Sequence, residues 1–398
     1  MTNRPSLSHG REYLAIPGPS VMPDAVLQAM HRPSPNIYDG ALIEMMPALT
    51  RDLKRVACTE HNVAIYIANG HGTWEAALSN VIAPGETVLA PASGRFTYGW
   101  AEMAEGVGAK VKTIDFGTSS PWDFDQIADV LRADQAHEIK AVLAVHVDTS
   151  SSIRNDIPAL RTLLDELKHP ALLMADCIAS LGCDRFEMDS WGVDLTVTAC
   201  QKGLMTPPGM GFVFFNDKAQ AKRAAMPRVS LYWDWQPRAN PELFYQYFDG
   251  TAPTHHLYGL RAALDMIHAE GVENVWARHR HLAKAIWAAC EVWAQGGALH
   301  FNVADPAYRS HAVTALRLTE GRGTSLRNFT ENHLGLTLGI GLGMEDWDGC
   351  FRLGHMGHVN AQMVMAMLGG VETAMAALNI PRGNGALEAA ATTLANQA

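Results

Sequence analysis

The chain has no apolar run of membrane-spanning length, and its first ten residues carry no apolar core of the signal-peptide kind. Neither a membrane protein nor an exported one is expected. Six cysteines in 398 residues are too few for a disulfide framework. The closest pair, Cys177 and Cys183, is too widely spaced for Cys-x-x-Cys chemistry, and no zinc-knuckle spacing occurs, so no metal site is expected. Charged residues make up only 18 % of the chain, the formal net charge is −10, and no long Lys/Arg run interrupts that balance. A nucleic-acid partner is therefore excluded. What remains is a soluble protein of a reducing cytoplasm.

Apolar residues account for 48 % of the sequence, ordinary for a globular protein, and the length allows two domains. Seven short apolar runs read as strands, at residues 63–68, 87–91, 110–116, 140–147, 171–177, 195–200 and 211–216. Helix-period segments lie between several of them, one carried by Phe124, Ile127, Val130 and Leu131, another by Ile157, Leu160, Leu163, Leu164 and Leu167. This alternation predicts an α/β fold with a mostly parallel seven-stranded sheet covered on both faces. Residues 226–253, rich in aromatics and proline, read as an excursion from the core. Long helix patterns follow at 257–267 and 272–294, then a short α+β segment. The expected division is an amino-terminal arm (1–20), a large domain (21–270) and a small carboxy-terminal domain (271–398), with the Ala/Gly-rich stretch 383–398 as a weakly ordered tail.

In such sheets ligands collect where strands end at their carboxyl edge. Asp176 ends the run Ala171-Leu172-Leu173-Met174-Ala175, and 26 residues later Lys202 follows the run 195–200 and precedes Gly203-Leu204-Met205-Thr206-Pro207-Pro208-Gly209. An amine and a carboxylate on one sheet edge suit pyridoxal phosphate (PLP), which needs a Schiff-base lysine and a carboxylate at its pyridine nitrogen. The plainer alternatives are a solvated surface lysine and an aspartate capping the next turn. Asn69-Gly70-His71-Gly72 is either a phosphate cradle at a helix start or a simple glycine turn. Phe96 either stacks on a planar cofactor or fills the core. The loop His146-Val147-Asp148-Thr149-Ser150-Ser151-Ser152 offers hydroxyls to a ring substituent or to its own turns. Arg352, inside the glycine-bounded strand Cys350-Phe351-Arg352-Leu353-Gly354, calls for an anion: a substrate carboxylate or a structural salt bridge. Gly339-Ile340-Gly341-Leu342-Gly343 lacks the context of a dinucleotide fingerprint. Arg278-His279-Arg280-His281 reads as a solvated helix face, and Trp233 and Trp235 as either pocket or subunit contact.

Taken together, these segments resemble the class V aminotransferases of PLP fold type I, above all the serine–glyoxylate and alanine–glyoxylate aminotransferase group. The resemblance runs from Pro17-Gly18-Pro19 to Arg352-Leu353-Gly354. Its most specific stretches are Asp176-Cys177-Ile178-Ala179-Ser180-Leu181-Gly182, Gln201-Lys202-Gly203-Leu204-Met205-Thr206-Pro207-Pro208-Gly209 and Tyr258-Gly259-Leu260-Arg261-Ala262-Ala263-Leu264-Asp265. It implies that Lys202 carries the cofactor, Asp176 binds the pyridine nitrogen and Phe96 stacks on the ring. It further implies that Gly70 and His71 hold the phosphate, Ser150 contacts the ring, Gln201 reaches the phosphate and Arg352 clamps the substrate carboxylate. Thr251 matches a residue that reaches the phosphate of the neighbouring subunit, which implies a homodimer with shared active sites.

Three positions depart from the pattern. Ile37-Tyr38-Asp39 replaces a His-Arg-Ser signature near the substrate entrance, making Tyr38 a substrate-binding candidate; Phe248 replaces a tyrosine; Ser152 replaces a glycine. Tyr38-Asp39 and Gly354-His355-Met356-Gly357 are similar to the pyridoxamine–pyruvate branch, whereas Tyr232-Trp233-Asp234-Trp235 is similar to the serine–glyoxylate branch. The expected reaction is ping-pong transamination from a small amino acid, serine or alanine, to a small 2-oxo acid, glyoxylate or pyruvate. The alternatives are a pyridoxamine–pyruvate aminotransferase, a PLP lyase, an NAD-dependent oxidoreductase sharing the β/α alternation, and a non-catalytic binding protein.

Overall fold

A computed structural model of the chain describes residues 6–396. The first five residues of the expected arm and the last two of the expected tail lie outside them. All seven expected strands form one sheet, in the order Asn62–Tyr66, Gly211–Phe215, Leu195–Ala199, Leu172–Asp176, Ile139–Val145, Thr87–Ala92 and Lys110–Asp115. Only Gly211–Phe215 runs antiparallel to its neighbours; the other pairings are parallel. The inner strands are mostly apolar because both faces are covered, with Thr196 and Thr198 as buried exceptions in Leu195–Ala199. Val142, Phe212 and Phe214 point into a core with Leu53, Ile127, Leu160 and Leu260. Their chain neighbours Leu143, Val213 and Phe215 point into the opposite core, with Trp74, Trp100 and Ala219. The strand period of two thus builds two cores from one run of residues. The edge strand Lys110–Asp115 is mostly exposed and polar, which blunts the open edge of the sheet.

A second sheet has five strands in the order Tyr13–Ala15, Leu336–Ile340, Cys350–Gly354, Val313–Leu318 and Leu299–Phe301. Tyr13–Ala15 joins it in parallel to Leu336–Ile340, so part of the expected amino-terminal arm forms a sheet edge. Helices Thr254–Glu270 and Val272–Ala294 meet at Gly271, whose φ of 90° only glycine adopts easily. The expected loose tail is instead a helix, Ala386–Ala395, with Ala386 and Ala390 buried beside Trp293 and Leu368. Its small side chains allow close helix packing, which composition alone disguised as disorder.

Two further readings change. The excursion is pinned to the sheet: Trp235 stacks on Phe215 with centroids 4.2 Å apart, and fully buried Arg238 donates to the carbonyls of Ile65, Tyr247 and Tyr232. Its guanidinium lies over the rings of Tyr66 and Tyr232. Irregular backbone carries no periodicity, so this packing left no sequence signal. The helix face at 278–281 is not simply solvated either. His279 is fully buried, its Nδ1 donating to Val275 O and its Nε2 accepting from Gly357 N, while Arg278 pairs with Glu270.

The two sheets are joined through a small hairpin, Val147–Asp148 paired with Ile153–Arg154. Ser152 in its turn has φ 62°, the left-handed conformation that the glycine of relatives would favour. Its hydroxyl accepts from Ala315 N at 3.2 Å, and its carbonyl from Ser310 N at 3.0 Å, so the serine ties the hairpin to the second sheet. Among the described residues no helix is long and apolar enough to cross a membrane.

Candidate active site

A cavity of about 130 Å³ opens where strands Leu172–Asp176 and Leu195–Ala199 end. Its wall is formed by Gly70, His71, Trp74, Phe96, Val147, Thr149, Asp176, Ile178, Ala179, Gln201 and Lys202. Asp176 is buried and accepts one hydrogen bond on each oxygen, from Ile178 N at 2.7 Å and from the Trp74 indole at 2.8 Å. Burial pushes its carboxyl up to about 7; the Ile178 and Trp74 hydrogen bonds pull the other way, while the charge of Asp148 adds to the rise.

That shift has a measurable consequence in the ligand-free protein. The folded value, about 7, stands above the ordinary 3.8, so the native state keeps a proton that the unfolded chain has already released. The stabilisation from this proton is complete below about pH 4 and is lost as pH rises through 7. Asp176→Asn should therefore flatten the decline of the urea midpoint between pH 5 and pH 8. A wild-type slope in the variant would show that Asp176 does not hold that proton.

Lys202 lies in the turn after its strand and is half-buried; its Nζ donates to Pro17 O. Burial lowers its ammonium to about 8; Arg352 pushes the same way and Asp176 opposes. Pro17 sits in a strap that continues from Tyr13–Ala15, and Ser20 fastens its far end, with N donating to Gln201 O at 2.9 Å and Oγ to Lys202 O at 2.7 Å. A side chain at Gly18 (φ 96°) would collide with the Lys202 amine, so the strap can cross there only as glycine.

Helix Gly70–Val81 begins at the cavity, capped by Asn69 Oδ1, which accepts from Gly72 N. The amides of Gly70 and His71, at its first two positions, have no intrahelical acceptor and are free to hold an anion. Phe96 lies at the second position of helix Arg95–Gly106, edge-on to Trp74 with centroids 6.2 Å apart. The Gln201 side-chain oxygen is buried without a hydrogen-bond partner.

Arg352 is buried in the middle of its strand. Its Nε donates to Ile340 O at 2.6 Å and Nη1 to Thr149 O at 2.8 Å, so it ties the second sheet to the hairpin turn whose Thr149 lines the cavity. Burial lowers the guanidinium to about 10, against the charge of Asp148. The competing reading of Arg352, a salt bridge to a side chain, does not describe these contacts.

Lys202, Asp176, Gly70, His71, Phe96 and Gln201 thus share one cavity. Ser150 does not reach it: its hydroxyl donates to Asp148 Oδ1 at 2.5 Å and accepts from Arg95 N at 3.0 Å, while the preceding Thr149 lines the wall. The strand breaks at His146, and the hairpin that follows sets which residues of this loop face the cavity. Tyr38 is 87 % exposed and does not line the cavity. Thr251 is also exposed and lies outside its own chain's cavity wall. Phe248 is fully buried among core side chains. Trp233 and Trp235 are not in the wall either.

Trp74, Thr149 and the Pro17 carbonyl were missed by sequence reading. Trp74 had a signal, since it is four residues beyond Gly70 and so on the same helix face.

Comparison with known proteins gives this geometry its context. The family model described as Aminotransferase class-V matches residues 13–341, which takes in the strap, both sheet-edge residues and the cavity wall. The serine–glyoxylate aminotransferase of Arabidopsis thaliana is 33 % identical over 96 % of this chain and 95 % of its own length. The L-aspartate–glyoxylate aminotransferase of Paracoccus denitrificans is 35 % identical over 92 % of this chain and 91 % of its own. The crystal structure of pyridoxamine–pyruvate aminotransferase from Mesorhizobium loti superposes with a TM-score of 0.88 at 26 % identity, covering 98 % of this chain and 99 % of that one. The family implies pyridoxal phosphate as cofactor. With the fold, the paired lysine and aspartate and the full-length similarity in agreement, the chain belongs to the class V aminotransferases and is an aminotransferase.

Proposed function

We propose that this aminotransferase binds pyridoxal phosphate in the Lys202–Asp176 cavity and moves an amino group from a small amino acid, serine or alanine, to glyoxylate or pyruvate. The observation that carries the reading is Lys202 and Asp176 facing one cavity from the ends of two adjacent strands. The residues present suit the cofactor. The free amides of Gly70 and His71 suit its phosphate, Gln201 lines the same cavity, and Asp176 keeps unused lone pairs for a pyridinium N–H.

When bound, pyridoxal phosphate supplies an electron sink for the charge left by removal of the donor's α-proton. Lys202, with a value near 8, has a substantial neutral fraction at physiological pH and can form the covalent link to the cofactor. Nζ would take the proton from the donor's Cα and return it. Asp176 in its ionised form would hold the pyridine nitrogen protonated. Phe96 would shield the cavity from water, and Arg352 would bind the donor's carboxylate. Thr149 offers its hydroxyl to the ring in the role expected of Ser150.

The rest of the reading extends from the resemblance. Exposed Thr251 reaches the phosphate of a neighbouring subunit, which makes the protein a homodimer with shared sites. All six cysteines are free thiols, in keeping with a reducing cytoplasm.

The donor and acceptor rest on the curated relatives, which are named for serine, aspartate or alanine with glyoxylate. Pyridoxamine as donor is the second reading, favoured by the likeness to the Mesorhizobium loti enzyme. A matrix of amino donors against glyoxylate and pyruvate tests both. Serine or alanine should give the highest kcat/KM with glyoxylate or pyruvate. Release of free pyridoxal from pyridoxamine and pyruvate, with no turnover of amino acids, would replace the first reading by the second.

A further inference from the structure

The buried carboxylate of Asp148 has no part in the chemistry described above, yet it sits at the junction of three pieces of the site. Its Oδ2 accepts from Phe96 N at 2.8 Å. Its Oδ1 accepts from Ser150 N at 2.9 Å and from Ser150 Oγ at 2.5 Å, and Ser150 Oγ in turn accepts from Arg95 N at 3.0 Å. The first two amides of helix Arg95–Gly106 are therefore capped from a distant loop. The helix's own N-cap residue, Gly94, provides no cap, and a side chain there would overlap the Asp148 carboxyl. The next residue, Thr149, lines the cavity wall and places its carbonyl on Arg352 Nη1 at 2.8 Å. The Asp148 carbonyl closes the same turn by accepting from Ser152 N at 2.8 Å.

We propose that Asp148 is a positioning residue that holds the ring of Phe96 and the guanidinium of Arg352 in register as a single unit across the Lys202–Asp176 cavity. The inference rests on the roles given above to Phe96 and Arg352. A buried carboxylate is costly unless several donors satisfy it. Here three donors do so, and two of them belong to the turn that presents Thr149 to Arg352. A shift of the hairpin is passed to Phe96 through one oxygen and to Arg352 through the Thr149 carbonyl. The charge also acts at a distance: it favours the protonated form of Asp176 and the charged form of Arg352.

The variant Asp148→Asn keeps the volume but sets an amide donor against one of the N–H groups, either Phe96 N or Ser150 N. In the reconstituted holoenzyme it should raise KM for the amino donor at least fivefold and change the visible circular dichroism of the bound cofactor, which reports ring orientation. A residue that only stabilised the fold would lower the melting temperature and the active fraction while leaving KM and the shape of the dichroism band unaltered. Ser150→Ala removes only the hydroxyl relay and should raise KM about two- to threefold with a weaker dichroism change; it gives the answer if Asp148→Asn does not fold. Wild-type KM and dichroism in whichever variants fold would overturn the proposal. If the wild-type protein neither binds pyridoxal phosphate nor transaminates, the functional reading itself has failed, an outcome separate from failure of Asp148.

Discussion

Lys202→Ala is expected to abolish transamination and the yellow absorbance of the lysine-bound cofactor. The lost proton transfer alone accounts for roughly 10²–10⁴-fold, and loss of the covalent link adds to it. The effect should be larger than for any neighbouring substitution because the amine is prepared as well as present. Burial brings its value to about 8, and it faces the cavity with Asp176 on the adjacent strand. Lys202→Arg should fail equally, since a guanidinium stays protonated and cannot form the imine. The measurement is steady-state turnover with a visible spectrum of each reconstituted variant. Wild-type turnover in either one would remove Lys202 from the reaction.

Arg352→Ala should produce the second large effect, a fall in kcat/KM for amino acid donors of about 2–3 kcal/mol, or roughly 30- to 160-fold. It should appear mainly in KM, because a carboxylate is held in both ground and transition states. Part of the cost comes from the protein itself: the variant leaves the carbonyls of Ile340 and Thr149 without the donor that joins them. An amine donor lacking a carboxylate separates the two contributions. Its kcat/KM should fall much less than that of alanine or serine. An equal fall for both donors would mean that Arg352 only braces the second sheet against the hairpin turn.

These two residues also show what can be read from a chain and what cannot. Asp176 was legible because it ends an unbroken apolar run and Lys202 because it follows a short β-type run, and parallel sheets place such exits on one edge. Arg352 stood out as a charge inside an apolar strand. The strands themselves were legible because residues buried on both faces leave few polar interruptions. Tertiary contact supplied the rest. Trp74 meets Asp176 across 102 positions and Pro17 meets Lys202 across 185, distances over which no local pattern carries information. The choice between Thr149 and Ser150 depended on one hairpin break, since a shift of one residue turns every side chain to the other face. The helix Ala386–Ala395 was hidden by composition, its alanines resembling a linker until a partner surface was known.

The strap that begins at Tyr13–Ala15 and passes over Lys202 orders events in time. Its strand pairs with Leu336–Ile340, so an early-made segment has to wait for one made more than three hundred residues later. During synthesis the lysine turn and the sheet around it can assemble, and Ser20 can dock on that turn, before the partner of Tyr13–Ala15 exists. Only when the second sheet closes is the other end of the strap fixed. The seat of the reactive nitrogen is thus completed last, and a nascent chain stalled before residue 336 would carry Lys202 with Pro17 held from one end alone.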